Sequence, residues 1–154
     1  MYVPESNSKQ LSGGVCALIS YVEERKNALG LDVLQVLAYQ PRNLKPVMLA
    51  YSDIQFVFTT LQMEGQGFAS KVYTIMACGT PVVTYRTGGS PEAVDEKTGV
   101  VVDQGDVVAV ANAITGLKDK PLSSVDCRAR AERCFDRDKC FEQYMELYES
   151  LIKD

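Results

Sequence analysis

Apolar residues along the chain alternate between two spacings. Leu18, Ile19, Val22 and Ala28 fall at helical intervals among Glu23, Glu24, Arg25 and Lys26, so Gly14 to Leu29 reads as a helix. Gly30 stands at its stop position. VLQVLAY (33–39) reads as a strand, and LKPVMLAYS (44–52) as a short helix, because Pro46 fits only in a first turn. IQFVFTT (54–60), rich in β-branched and aromatic residues, reads as a second strand. A loop over 61–67 leads into a helix over 68–78, with Gly79 placed to cap it and Pro81 just beyond. PVVTY (81–85) is continuously apolar, as buried parallel strands are. Ser90 then suits an N-cap, Pro91 the first helical position and Glu92 the positive helix end. TGVVVD (98–103) gives a fourth strand, and 106–117 a helix capped by Asp106. From Pro121 the pattern stays helical to the end, broken near Asp136. Phe141, Tyr144, Met145, Tyr148, Leu151 and Ile152 share one face of its last part.

Alternating strands and helices predict an α/β domain: a Rossmann-like, mainly parallel sheet flanked by helices. A polar arm over 1–13 precedes one domain over 14–154, which includes the C-terminal helices 121–154. A chain of 154 residues suits one domain with a real core. No apolar run approaches the roughly 20 residues a spanning helix needs. The polar start MYVPESNSKQ does not read as a signal peptide.

Two features of composition narrow the chemistry. Histidine is absent, which excludes a His general base, a Ser-His-Asp triad or a His metal site. The five cysteines are odd in number and fit no zinc spacing, so reduced thiols in the cytoplasm are expected, with no metal. A net charge of −4 argues against nucleic acid as the main partner.

The stretch EGQGFASKVYTIMACGTP (64–81) is the candidate site. In an open parallel sheet, ligands bind beyond the carboxyl ends of strands, where loops enter helices. A helix starting near Phe68 offers unpaired N–H groups and partial positive charge to a phosphate. Gly65 and Gly67, around Gln66, let the backbone come close. Glu64 would repel phosphate, and so is better placed to accept hydrogen bonds from hydroxyls. Ser70 and Lys71 add a donor and a charge. Phosphate with hydroxyls is what a nucleotide-sugar presents. The same glycines also suit a bare turn, and Glu64 an exposed loop carboxylate. The G-x-G is not the dinucleotide fingerprint, for it lacks the third glycine. Arg86, at the end of its strand, fits either a ligand contact or a surface position.

EGQGFASKVYTIMACGTPVVTYRTGGSPEAVDEKTGVVVDQGD closely resembles the C-terminal, donor-binding domain of retaining glycosyltransferases of the GT-B fold, in the glycosyl transferases group 1 family. Relatives carry an E-G-x-G loop, an apolar helix ending A-C-G-T-P-V-V, then G-G-x-P-E. The helix ending YMELYESLIK is similar to the one that crosses back toward the N-terminal domain. The resemblance implies that Glu64 contacts the donor sugar as the catalytic candidate. It also sets Gly65, Gln66, Gly67 and Phe68 near the diphosphate. A second glutamate, which binds the ribose in relatives, is replaced here by Thr74, shorter and uncharged. The Ser70-Lys71-Val72-Tyr73 start of the helix looks like the subgroup with S-K-x-Y.

The implied function is the donor half of a glycosyltransferase, moving a sugar from a nucleotide-diphosphate donor with retention and no cofactor. It would be inactive without an N-terminal acceptor domain, in the same or another chain. Self-association through the C-terminal helix is a further expectation, and peripheral membrane association is left open. A non-catalytic binding or regulatory module is the alternative. A sugar-nucleotide epimerase ranks below both, since that chemistry usually relies on histidine.

Overall fold

A computed structural model describes residues 13–37, 40–57 and 70–152, with side chains of the first helix from residue 19 onward. The chain divides into two units, Met1–Lys45 and Pro46–Asp154.

The first unit carries helix α1 (Gly13–Ala28) and a 3₁₀ turn (Arg42–Leu44). Gly30, at φ +63°, ends α1: its N–H reaches the Asn27 carbonyl at 3.2 Å and that of Leu31 the Lys26 carbonyl at 3.1 Å. This is the Schellman closure that a left-handed glycine permits. The strand expected at 33–39 is not formed over 33–37, and 38–39 lie outside the described residues. Instead the Leu34 N–H turns back to Leu31 at 3.0 Å, and Val33 is 94% exposed. A strand exists only through a bonded neighbour, which an apolar run alone does not supply.

The second unit is the sheet domain. Helix α2 (Lys45–Ala50), with Pro46 in its first turn, leads into β1 (Gln55–Val57). Then follow α3 (Ser70–Ala77), β2 (Val82–Tyr85), the single turn α4 (Ser90–Ala93) and β3 (Gly99–Val102). Helices α5 (Val107–Asp119), α6 (Ser124–Cys134) and α7 (Arg137–Ile152) complete it. The strands are parallel in the order β1-β2-β3, with Val57 opposite Thr84 and Val83 opposite Val100.

Strand alternation divides the core between the two faces. Val82 packs with Val72, Ile75 and Met76 of α3 and Ala131 of α6, whereas Val83 packs with Val110 and Leu117 of α5. Each of the valines, Ile75, Met76 and Leu117 removed from water contributes about 1.5–3 kcal/mol.

The turns follow the sequence except at one point. Gly79 (φ +82°) closes α3, with Thr80 N–H on the Ile75 carbonyl at 3.2 Å. Asp106 caps α5 by accepting the Ala109 N–H at 2.8 Å. Asp136 breaks α6 from α7, its carboxylate accepting the N–H groups of Asp138 and Lys139 at 3.1 and 3.0 Å. Ser90, however, is not the N-cap of α4: Gly89 holds that place and Ser90 is the first helical residue. Gly88, at φ +50°, bends the chain one residue earlier than a serine cap needs, and the Ser90 N–H is used by the Thr87 carbonyl at 3.1 Å. Among the described residues no helix is long and apolar enough to cross a membrane.

Candidate functional site

Because β1 and β2 are parallel, α3 between them must run back along the sheet. Its amino end therefore stands at the carboxyl edge, where an open parallel sheet binds ligands. Burial fixes the rotation of α3: Val72, Ile75 and Met76 face the core, which turns Ser70, Lys71 and Thr74 to solvent. Of the sequence candidates, these three are described and share that exposed face. Glu64, Gly65, Gln66, Gly67 and Phe68 lie outside the described residues. Thr74 is partly committed, since its hydroxyl donates to the Ser70 carbonyl at 3.3 Å.

Beside α3 lies α4. Tyr73 packs its ring on Phe135 at 4.3 Å between centroids. Burial, and then the carboxylate of Glu92 on α4, push the Tyr73 phenol up from its usual value. The turn ahead of α4 leaves the Ser90 hydroxyl buried with no hydrogen-bond partner. Arg86, whose role the sequence left open, pairs with Asp103 at 3.0 Å, both side chains being well exposed. That contact joins the carboxyl ends of β2 and β3 and adds little energy.

Arg130 carries no local signal of a special role. From α6 it donates to the Ala93 carbonyl at 2.6 Å, the Glu92 carbonyl at 2.8 Å and the Asp95 carboxylate at 2.7 Å. Burial works to raise the Asp95 pKa. The Thr98 hydroxyl, the Arg130 charge, the Lys97 N–H and the Arg133 charge outweigh it and hold the carboxyl below its ordinary value. An arginine in a polar helix reads only as surface charge, so its partners had to be seen. Among the described residues no cluster of acidic, cysteine or histidine side chains could hold a metal.

Residues 13–120 match the family model of glycosyl transferases group 1. N-acetyl-α-D-glucosaminyl L-malate synthase of Bacillus anthracis is 33% identical over 112 residues, which is 70% of this chain and 28% of that protein. A GDP-mannose-dependent α-(1-6)-phosphatidylinositol monomannoside mannosyltransferase of Mycolicibacterium smegmatis is 49% identical over 63 residues, 40% of this chain and 16% of that protein. The chain thus spans less than a third of these relatives. Among solved structures, Anabaena HepE in complex with UDP aligns over 90% of this chain and 38% of its own, at TM-score 0.76 and 22% identity. Sucrose-phosphate synthase from Thermosynechococcus elongatus aligns over 86% and 34%, at TM-score 0.69 and 24% identity. The chain belongs to the glycosyl transferases group 1 family and carries a parallel-sheet domain of the GT-B fold.

Proposed function

We propose that this chain is the donor-binding part of a glycosyltransferase that takes a sugar from a nucleotide-diphosphate donor with retention of configuration. The carrying observation is the amino end of α3 at the carboxyl edge of the sheet, with Ser70 and Lys71 exposed, in a chain of this family. Glu64 accepts hydrogen bonds from the donor's hydroxyls, and the amides of Gly65, Gln66, Gly67 and Phe68 meet the diphosphate. Lys71 and Ser70 stabilise the departing charge, as fixed dipoles and cations do in such reactions. Thr74 takes the ribose side. The reading needs no metal or organic cofactor. The acceptor side belongs to a further domain, in this or another chain, without which the piece is inactive. A cytoplasmic setting fits, since Cys78, Cys127, Cys134 and Cys140 are all free thiols.

One observation favours a non-catalytic binding module instead. Thr74 has no charge, and its hydroxyl already serves the Ser70 carbonyl. Calorimetric titration of UDP-glucose and GDP-mannose tests the donor site itself. Binding by the chain, with Glu64→Ala weakening the sugar nucleotide about tenfold and leaving free UDP or GDP unchanged, supports the donor site. Equal weakening of both would remove Glu64 from the sugar. No binding at about 1 mM of either donor overturns the proposal.

A further inference from the structure

We propose that Arg130 is a positioning residue for the donor site, holding α4 and the Thr87–Ser90 turn beside α3 from outside the site. The inference rests on the donor reading above. A single helical turn such as α4 is not stable alone, because nucleation fixes several residues for one hydrogen bond. Its internal bonds are Ala93 N–H to the Gly89 carbonyl and Val94 N–H to the Ser90 carbonyl, both 3.1 Å. The last carbonyls of a helix have no partner within it. Here Arg130 supplies one to Glu92 and one to Ala93, and its third contact takes Asp95 just beyond. Asp95 is fixed in turn by the Thr98 hydroxyl at 2.9 Å and the Lys97 N–H at 3.1 Å. A planar fork on three acceptors of one four-residue segment, on a side chain 17% exposed, sets both the place and the angle of that segment.

At the other end of α4 the Ser90 hydroxyl makes no bond. The anchor therefore acts from the carboxyl end, and what it holds is the turn leaving β2 at the ligand edge of the sheet. Contact with the donor helix is direct, for α4 packs on α3 and Glu92 and Tyr73 line one cavity. Tyr73 precedes Thr74 and follows Lys71 by two residues, so a displaced α4 shifts the helix that presents them.

The test uses the full chain with Arg130→Met, which removes the fork, and Arg130→Lys, which keeps a charge opposite Asp95. Titration with UDP-glucose and GDP-mannose reads stoichiometry and Kd separately, and amide exchange reads Ala93 and Val94. We expect Arg130→Met to raise Kd about tenfold at unchanged stoichiometry and to speed exchange of those amides about tenfold. Arg130→Lys should recover part of both. A merely structural arginine would lower the stoichiometry and leave Kd alone. A Kd within about twofold of the parent's therefore overturns the proposal. If the parent binds neither sugar nucleotide, the donor reading falls by itself, and unchanged exchange at Ala93 and Val94 overturns the anchor separately. Should Arg130→Met not fold, Arg130→Lys is read by the same two measures.

Discussion

Helices α6 and α7 follow one another, α6 packed against α3 and α7 with its apolar side chains exposed. In α6, SVDCRARAERC, there is hardly an apolar stripe, yet Cys127 and Ala131 are buried. In α7, six large apolar side chains share a face, and none is buried. Small residues let α6 approach α3 closely, so closely that a Cβ on Gly79 would stand 3.2 Å from the Ser124 carbonyl. Its arginines then reach carbonyls that need donors, Arg128 that of Ala77 at 2.7 Å and Arg130 those of α4. An amphipathic face states a capacity for burial, and only a neighbour of the right shape realises it.

Matched residues on the two sides can break that contrast. The largest effect belongs to methionine. Met76 of α3 is 0% exposed between the sheet and α6, while Met145 of α7 is 59% exposed. Met76→Ala should cost about 2–5 kcal/mol in urea-induced unfolding, through lost transfer energy and the cavity left behind. Met145→Ala should stay within about 0.5 kcal/mol. A cost at Met145 near that at Met76 would mean that α7 is covered in solution, and sedimentation at rising concentration would show whether a second copy covers it.

This contrast also explains what was legible in the sequence. The parallel strands Gln55–Val57, Val82–Tyr85 and Gly99–Val102, which fall within the expected 54–60, 81–85 and 98–103, were readable because continuous apolar runs and glycine or proline stops are local signals. So were the Gly30, Gly79 and Asp106 ends of helices. The strand expected at 33–39 failed over its described part because its apolar residues did not find a partner edge, a property of no single segment. Ser90 was misplaced by one residue because Gly88 and Gly89 set the turn before it. At the site, Ser70 and Lys71 were named as polar groups near a helix start and Thr74 through the resemblance; all three lie on the exposed face of α3. Arg130 was not, because its partners lie 35 to 38 residues away in the chain.

Cysteines give the second pair. Cys127 is fully buried, and burial, then the nearby charges of Asp126 and Asp95, push its thiol up to about 11. Cys134 is exposed, about two turns further along the same helix. Since the thiolate is the nucleophile, a maleimide at neutral pH should label Cys134 at least about 100-fold faster than Cys127. Mass spectrometry of peptides taken over time reads both rates. Comparable rates would show α6 detaching from α3 far more often than its contacts imply.

The smallest effect separates two Arg–Asp pairs of nearly equal length. Arg130–Asp95 spans 2.7 Å and is partly buried, while Arg137–Asp138 spans 2.8 Å with side chains 80% and 73% exposed. Asp95 ionises in the folded chain below its unfolded value, because the Thr98, Arg130, Lys97 and Arg133 contributions outweigh burial. As pH falls, the unfolded chain therefore takes up this proton first. The stability Asp95 contributes is present above an unfolded carboxylate value of about 3.9, and is lost as pH drops through the lowered folded value. Thermal melts of the parent and Asp95→Asn, followed from pH 6 downward, should differ at pH 6 and converge below about pH 4. Asp138→Asn should track the parent throughout, since an exposed pair contributes 0 to about 1 kcal/mol. If Asp95→Asn tracks it too, the Arg130 fork is held by the two carbonyls of α4, and the carboxylate only lies beside it.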